Sequence, residues 1–265
     1  MKKWLVGLIV VAIALYIGNY GIKTTEITVE SDNIPTAFNG LKIVQISDLH
    51  DATFGENQEK LAKKVRDAAP DLIFLTGDLI DSNRYDLENS LDVVKQIISL
   101  APVYYVTGNH EIATNDVDHI KASLTDLGVK VLSNEEKTIE KDGEQLRIIG
   151  IEDPLSGVSV GDALSKFDMT DSYTLVLSHR PETFQDYVDN GVELVFTGHA
   201  HGGQIRIPGL GGLVAPGQGL LPKYTAGTYT ENKTNMIVSR GLGNSVMPVR
   251  VFNTPEIIVV TLKAT

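Results

Sequence analysis

The chain has 265 residues, enough for one large domain or two small ones, and its 42% hydrophobic content supports a sizeable core. A net charge of -11 opposes binding to a long anionic polymer, so no duplex nucleic acid is expected as a partner. There is no cysteine, which excludes disulfides and thiolate zinc sites and leaves imidazole, carboxylate and amide groups as metal donors.

The amino terminus carries no charge between Lys3 and Lys23, and Trp4 to Gly18 is almost wholly apolar. At helical rise, about nineteen such residues reach roughly the thickness of a bilayer core. Trp4, Tyr16 and Tyr20 lie near the ends of the run, where interfacial aromatics occur. Residues 1–23 are read as an uncleaved single-pass transmembrane helix, with a cleaved signal and a buried helix as alternatives. Gly18-Asn19-Tyr20 ends in a bulky residue and makes a poor cleavage site. Lys2 and Lys3 lead the segment while Glu26, Glu30 and Asp32 follow it. The positive-inside bias then places the main domain outside the cell membrane. Residues 24–40 read as a connector, extended at Ile27-Thr28-Val29 and turning near Asn33-Ile34-Pro35, before a domain over 41–265.

From Leu41 onward, strands and helices alternate. Apolar runs at Leu41–Ile46, Leu72–Leu75, Val103–Val106, Leu175–Leu177 and Leu194–Phe196 each lead into a metal-type ligand. Helical spacing marks Gln58–Ala68, Asp86–Leu100 and Asn115–Leu127. A short helix is expected over Pro181–Asp189, opened by its proline. Further strands are expected at Val129–Leu132, Leu146–Ile151, Met236–Ser239 and Glu256–Leu262, and Asp142-Gly143 marks a hairpin turn. Gly202 to Tyr229 is rich in Gly and Pro and low in charge. It reads as a long loop, either a substrate wall or a plain surface closure.

The residues that follow the strands carry the chemistry. Asp48-Leu49-His50 sets two donors two residues apart, where extended backbone would point both to one side. Asp78, in Gly77-Asp78-Leu79-Ile80-Asp81, can bridge two ions, while Asp81 is read as a cap or a support. In Gly108-Asn109-His110-Glu111, Asn109 offers a neutral amide oxygen and His110 is either a ligand or a proton donor. Glu111 can orient the His110 imidazole through its second nitrogen. His179 and the pair His199 and His201 complete the set. Five of the six histidines fall in these slots, and their joint arrival with Asp and Asn points to a metal-dependent hydrolase. His119 lies among helical charges and reads as a solvated face. Arg180, Arg206, Lys223, Arg240 and Arg250 read as surface charges, with a second-phosphate site as the alternative.

The ordered blocks D-x-H, G-D-x-x-D, G-N-H-E, H and G-H-x-H resemble the calcineurin-like metallophosphoesterase superfamily, over about Leu41 to Leu262. Ser178-His179-Arg180-Pro181, Gly198 to Gln204, Leu221 to Tyr224 and Ser239 to Gly243 are similar to its membrane-anchored bacterial YkuE/YaeI-like branch. Lys2-Lys3 stand where some relatives have twin arginines, so twin-arginine export is not expected. The resemblance implies an α/β fold, a four-layer α/β/β/α sandwich, here preceded by the N-terminal transmembrane helix. It implies two divalent metal ions, such as Mn, Fe or Zn. Asp48, His50 and His201 would hold one, Asp78 would bridge, and Asn109, His179 and His199 would complete the second. His110 would stay off the metals as the catalytic acid, in its protonated form, with Glu111 as the other candidate catalytic residue. A hydroxide between the ions would attack a phosphodiester, pyrophosphate or phosphomonoester, on a lipid-linked or nucleotide-sugar substrate. A phosphoprotein phosphatase is the nearest alternative. An amide hydrolase or a catalytically silent metal-stabilised scaffold belongs to a different class. A silent scaffold would usually lack a ligand or His110, and here all are present.

Overall fold

The computed structural model describes residues 9, 16, 18–170, 172–245 and 247–265. Most of the apolar segment read as a membrane anchor lies outside these residues. Among the described residues, no helix is long and apolar enough to cross a membrane.

Strands β2 (Lys42–Ile46), β3 (Leu72–Thr76) and β4 (Val103–Val106) are buried along nearly their whole length. That is the pattern of parallel strands covered on both faces. Helices Glu59–Ala68 and Leu87–Ile97 connect them and turn Leu61, Val65, Leu91 and Val94 inward. The first sheet also contains β1 (Lys23–Ser31), β5 (Lys130–Val131) and the C-terminal β16 (Glu256–Ala264), in the order β1-β16-β2-β3-β4-β5. β16 runs parallel to β1 and antiparallel to β2. The segment read as a connector therefore contains a nine-residue sheet strand.

The second sheet contains β6 (Glu135–Lys141), β7 (Glu144–Gly150), β8 (Thr174–Leu177), β9 (Leu194–Thr197), β14 (Gly227–Glu231) and β15 (Thr234–Val238). Its order is β14-β15-β9-β8-β7-β6, with the inner four strands parallel. Alternation along each strand divides the apolar side chains between two faces. Ile43, Phe74, Tyr104, Leu175, Phe196 and Ile258 fill the space between the sheets. Phe74 and Phe196 meet there edge to face, with centroids 5.0 Å apart. Val44, Ile73 and Leu75 face the helices of the first sheet, and Val176, Val195 and Met236 face helices Val160–Leu164 and Phe184–Asp189 on the second. Three cores thus separate four layers.

Three expectations are refined by the fold. The helix read over Asn115–Leu127 spans Val117–Asp126. Pro181–Thr183 forms a 3-10 turn ahead of the helix proper. The Gly/Pro segment is not structureless. It holds two small antiparallel pairs, β10 (Arg206–Ile207) with β11 (Gly211–Gly212), and β12 (Val214–Ala215) with β13 (Gly219–Leu220).

Candidate metal centre

All seven candidate ligands follow the carboxyl ends of parallel strands, β2, β3 and β4 in one sheet and β8 and β9 in the other. This is where open α/β sheets place their sites. The local backbone differs from the extended geometry expected. Asp48, His50, Asp78, His199 and His201 have φ of 51°, 48°, 51°, 63° and 47°. Such left-handed non-glycine residues store strain and cluster at functional sites. Two glycines let the turns meet. A Cβ on Gly108 would lie 2.3 Å from Asp78 Oδ1, and one on Gly198 would lie 2.0 Å from Ser47 Oγ.

The side chains form two groups that share Asp78. Asp48, His50, Asp78 and His201 make one, and Asp78, His179 and His199 the other. Asp78 Oδ2 is 3.5 Å from His50 Nε2 and 3.2 Å from His179 Nε2. Its other oxygen, Oδ1, accepts from the His110 backbone N–H at 2.8 Å. His50 Nε2 and His201 Nε2 are 3.1 Å apart, and His199 Nδ1 lies 3.2 Å from His179 Nε2. His179 Nδ1–H donates to Thr76 O at 2.8 Å, which turns its Nε2 towards the centre. Asp48 Oδ2 and Asn109 Oδ1 are buried without a partner among the described residues.

Electrostatics point the same way. Burial holds His50, His199 and His201 below the usual imidazole range, and neighbouring cationic groups add to the effect. Burial also works against the Asp78 carboxylate, but His179 and His50 overcome it and keep its pKa well below the ordinary range. Burial would lower His179 too, yet Asp78 raises it to about 10. Imidazoles at His50, His199 and His201 held neutral by burial, an anionic carboxylate at Asp78 and orphaned buried oxygens suit divalent cations. The donors present fit a two-metal site.

His110 lies off both groups that share Asp78, with its ring edge-on to His50 at 4.5 Å. It is buried, with Asp81 Oδ1 3.5 Å from its Nδ1. The Ser82 backbone N–H donates to Nδ1 at 3.0 Å, and Ser245 Oγ is 3.2 Å from Nε2. A backbone N–H can only donate, so Nδ1 accepts and the ring proton sits on Nε2. Glu111 is placed differently from its expected role. Its carboxylate accepts from the backbone N–H groups of Asp78, Leu79, Ile80 and Gly108 at 2.7–3.2 Å. Burial and then Asp78 push its pKa up to about 7, against those donors. Glu111 braces the two ligand turns rather than the imidazole.

Two residues read as surface charges, and two not singled out in the sequence, also contribute. Arg180 is only 13% exposed at its side chain, clamped by Asp153 through two nitrogens at 2.5 and 3.0 Å. Its Nη1 lies 2.8 Å from His199 Nε2. Arg250 is wholly buried and donates to the carbonyls of Arg240 and Gly243. The surface reading fails for both residues. Asp153 follows β7 in the same strand-then-acid pattern as the ligands, and that signal was available. Ser245 has no comparable signal, because a long-range turn delivers it.

The calcineurin-like phosphoesterase family model matches residues 41–203. The chain belongs to this family. The metallophosphoesterase is 32% identical to the uncharacterized metallophosphoesterase YkuE of Bacillus subtilis, over 95% of this chain and 89% of that protein. It is 28% identical to the phosphodiesterase YaeI of Escherichia coli, over 83% and 82% of the two chains. A bovine relative named as a transmembrane protein with a metallophosphoesterase domain is 30% identical over 91% of this chain and 57% of its own length. A dimetal phosphatase from Danio rerio shares the fold with a TM-score of 0.51 and 12% identity, over 85% of this metallophosphoesterase and 93% of that chain.

Proposed function

We propose that this metallophosphoesterase hydrolyses a phosphodiester or pyrophosphate bond in an amphiphilic substrate, lipid-linked or nucleotide-sugar, at the outer face of the cell membrane. The observation that carries the reading is Asp78 Oδ2 lying between two groups of buried imidazoles, His50 with His201 and His179 with His199. Asp48, His50 and His201 would hold one divalent ion and Asn109, His179 and His199 a second, with Asp78 common to both. When bound, the two ions supply charge for the phosphoryl oxygens and lower the pKa of an attacking water towards neutrality.

The protein's own groups do the rest. His110 carries a proton on Nε2, the nitrogen facing Ser245, and from it donates a hydrogen bond to the charge developing on the leaving oxygen, which takes its proton from solvent. The Ser82 N–H fixes that tautomer. Glu111 keeps the turns bearing Asp78 and Asn109 in register through four backbone donors. Beside His50 opens a cavity of about 630 Å³. Tyr16, Tyr20, Phe54, Pro248 and Val249 line it together with Arg84, Asp86 and Asn89. Its mixed lining favours an amphiphile over a phosphoprotein loop.

The test uses the full chain in detergent, stripped by a chelator and then supplied with Mn²⁺. The substrate panel includes mono- and diester chromogens, a nucleotide sugar, a phosphoserine peptide and a polyprenyl pyrophosphate. Activity should vanish on stripping, return with the ion, and favour the diester or pyrophosphate substrates. Full activity without metal would overturn the two-ion reading. A preference for the phosphopeptide would overturn the substrate class.

A further inference from the structure

Two stretches of this acidic chain contain no carboxylate side chain. No Asp or Glu occurs from Gly202 to Thr230 or from Gly241 to Pro255, although the chain carries 34 of them. The two stretches pack together. Ile205 bridges Val251, and the Arg206 N–H donates to Val251 O at 2.9 Å. Residues 18–20, which are helical, join them. Asn19 Nδ2 donates to Arg250 O at 3.0 Å, and the Arg250 N–H donates to Asn19 Oδ1 at 2.7 Å.

This junction exposes apolar side chains that nothing described covers. Tyr16, Tyr20, Ile207, Leu210, Val249 and Phe252 are between 41% and 74% exposed. Phe252, the most exposed of the six, has a φ of 52°, an unfavourable conformation for a bulky residue that keeps its ring outward. The neighbouring cations turn away. Arg206 folds back on Gly202 O and Thr225 Oγ1, and Arg250 is buried. What remains is an apolar rim whose 202–230 and 241–255 stretches carry no carboxylate, and Tyr16, Tyr20 and Val249 of that rim also line the cavity that reaches His50.

We propose that this rim beds into a lipid bilayer, so that the cavity beside His50 opens at head-group level. The occupant follows from continuity. The uncharged run from Trp4 to Ile22 leads into Tyr16 and Tyr20, which are themselves part of the rim. Aromatic side chains at the end of such a run suit the membrane interface. The absence of carboxylates over 202–230 and 241–255 removes repulsion from anionic head groups, which the whole chain at -11 would otherwise feel. The proposal rests on the membrane placement of the proposed function, and it extends contact from the anchor to the catalytic domain itself.

The chain has no cysteine, so single probes can be placed cleanly. Leu210→Cys, Phe252→Cys and Asp142→Cys are each labelled with an environment-sensitive fluorophore in the full chain. Asp142 lies at the tip of the β6–β7 hairpin, at the opposite edge of the second sheet from β14. The proteins are reconstituted into vesicles of phosphatidylcholine and phosphatidylglycerol, with or without a lipid-borne quencher. Probes at 210 and 252 should shift to the blue and be quenched, while the probe at 142 should stay water-like. Water-like, unquenched emission at 210 and 252 would overturn the proposal. A blue shift that persists in detergent and ignores the lipid quencher would also overturn it, making the occupant a second copy of the chain.

The double variant L210D/F252D supplies the functional arm. It should keep its rate on a soluble chromogenic diester within about twofold and lose about tenfold on a vesicle-borne ester, since docking raises local substrate concentration. Lipid quenching at 210 and 252 without turnover of any vesicle-borne ester supports the docking and overturns the lipid-substrate reading.

Discussion

His110 is distinguished from the candidate ligands by what its ring nitrogens face. The ligands point lone pairs at one another or at Asp78, whereas His110 has a backbone donor on one nitrogen and a serine hydroxyl beyond the other. His110→Ala should therefore leave metal content near wild type, measured by atomic absorption, while slowing a poor leaving group by roughly 10²–10⁴. Loss of one equivalent of metal would make it a ligand instead. Arg180 makes a different kind of contribution, through its contact with His199. Arg180→Ala should cost about 10- to 100-fold in kcat/KM, the worth of a charge-assisted hydrogen bond of about 1.5–3 kcal/mol. An unchanged kcat/KM would return Arg180 to a purely structural role with Asp153.

At the scale of elements, the strands fix the ligands and a few long-range polar contacts fix the turns between them. Glu256, at the start of β16, ties three segments. It accepts from Thr25 Oγ1 on β1 at 2.5 Å, from the Arg240 backbone at 3.1 Å and from its guanidinium at 2.5 Å. Burial opposes the charge, but Arg240 outweighs it and holds the carboxyl below its usual range. A depressed carboxylate pKa adds stability above the unfolded value, and that stability is lost as pH falls through the folded value. Thermal melts should therefore find Glu256→Gln less stable than wild type at pH 7, with the gap closing in acid below the ordinary glutamate range. A gap that stays constant with pH would assign the loss to packing. The same elements show how much of the fold was legible. β2, β3, β4, β8 and β9 were visible because buried parallel strands are continuous apolar runs. β1 was seen only as three extended residues, because its alternating, half-exposed pattern becomes a strand only when β16 arrives beside it. The five-residue helix Asn109–Ala113 is too short for any period to reveal.

For the whole molecule, the boundary between anchor and catalytic domain is less sharp than the sequence suggests. Gly18, Asn19 and Tyr20 are helical and rest on the Arg250 segment, and Lys23 already begins β1. A chain beginning at residue 16 should keep the soluble-ester rate and melting temperature of the full protein. A chain beginning at residue 24 should melt several degrees lower, since two lost hydrogen bonds are worth about 1 kcal/mol each and each kcal/mol moves a domain of this size by about 2–4 °C. Its soluble-ester rate should fall as well, because Tyr16 and Tyr20 wall the cavity that contains His50. Identical melts and rates for the two truncations would restore the simple tether.

The sequence by itself determined the family, the order of the strands that carry the candidate ligands, and the seven candidate donor residues, because each is a local pattern of an apolar run followed by a donor. The tertiary structure alone decided which donors share Asp78, where the His110 proton sits, and that Glu111 braces backbone. It also took Arg180 and Arg250 out of the surface reading and into polar contacts at the site, and joined residues 18–20 to the Arg250 segment. The deciding contacts include pairs 19 and 231 positions apart. Their energies depend on burial and on lone-pair direction, and neither is encoded in spacing along the chain.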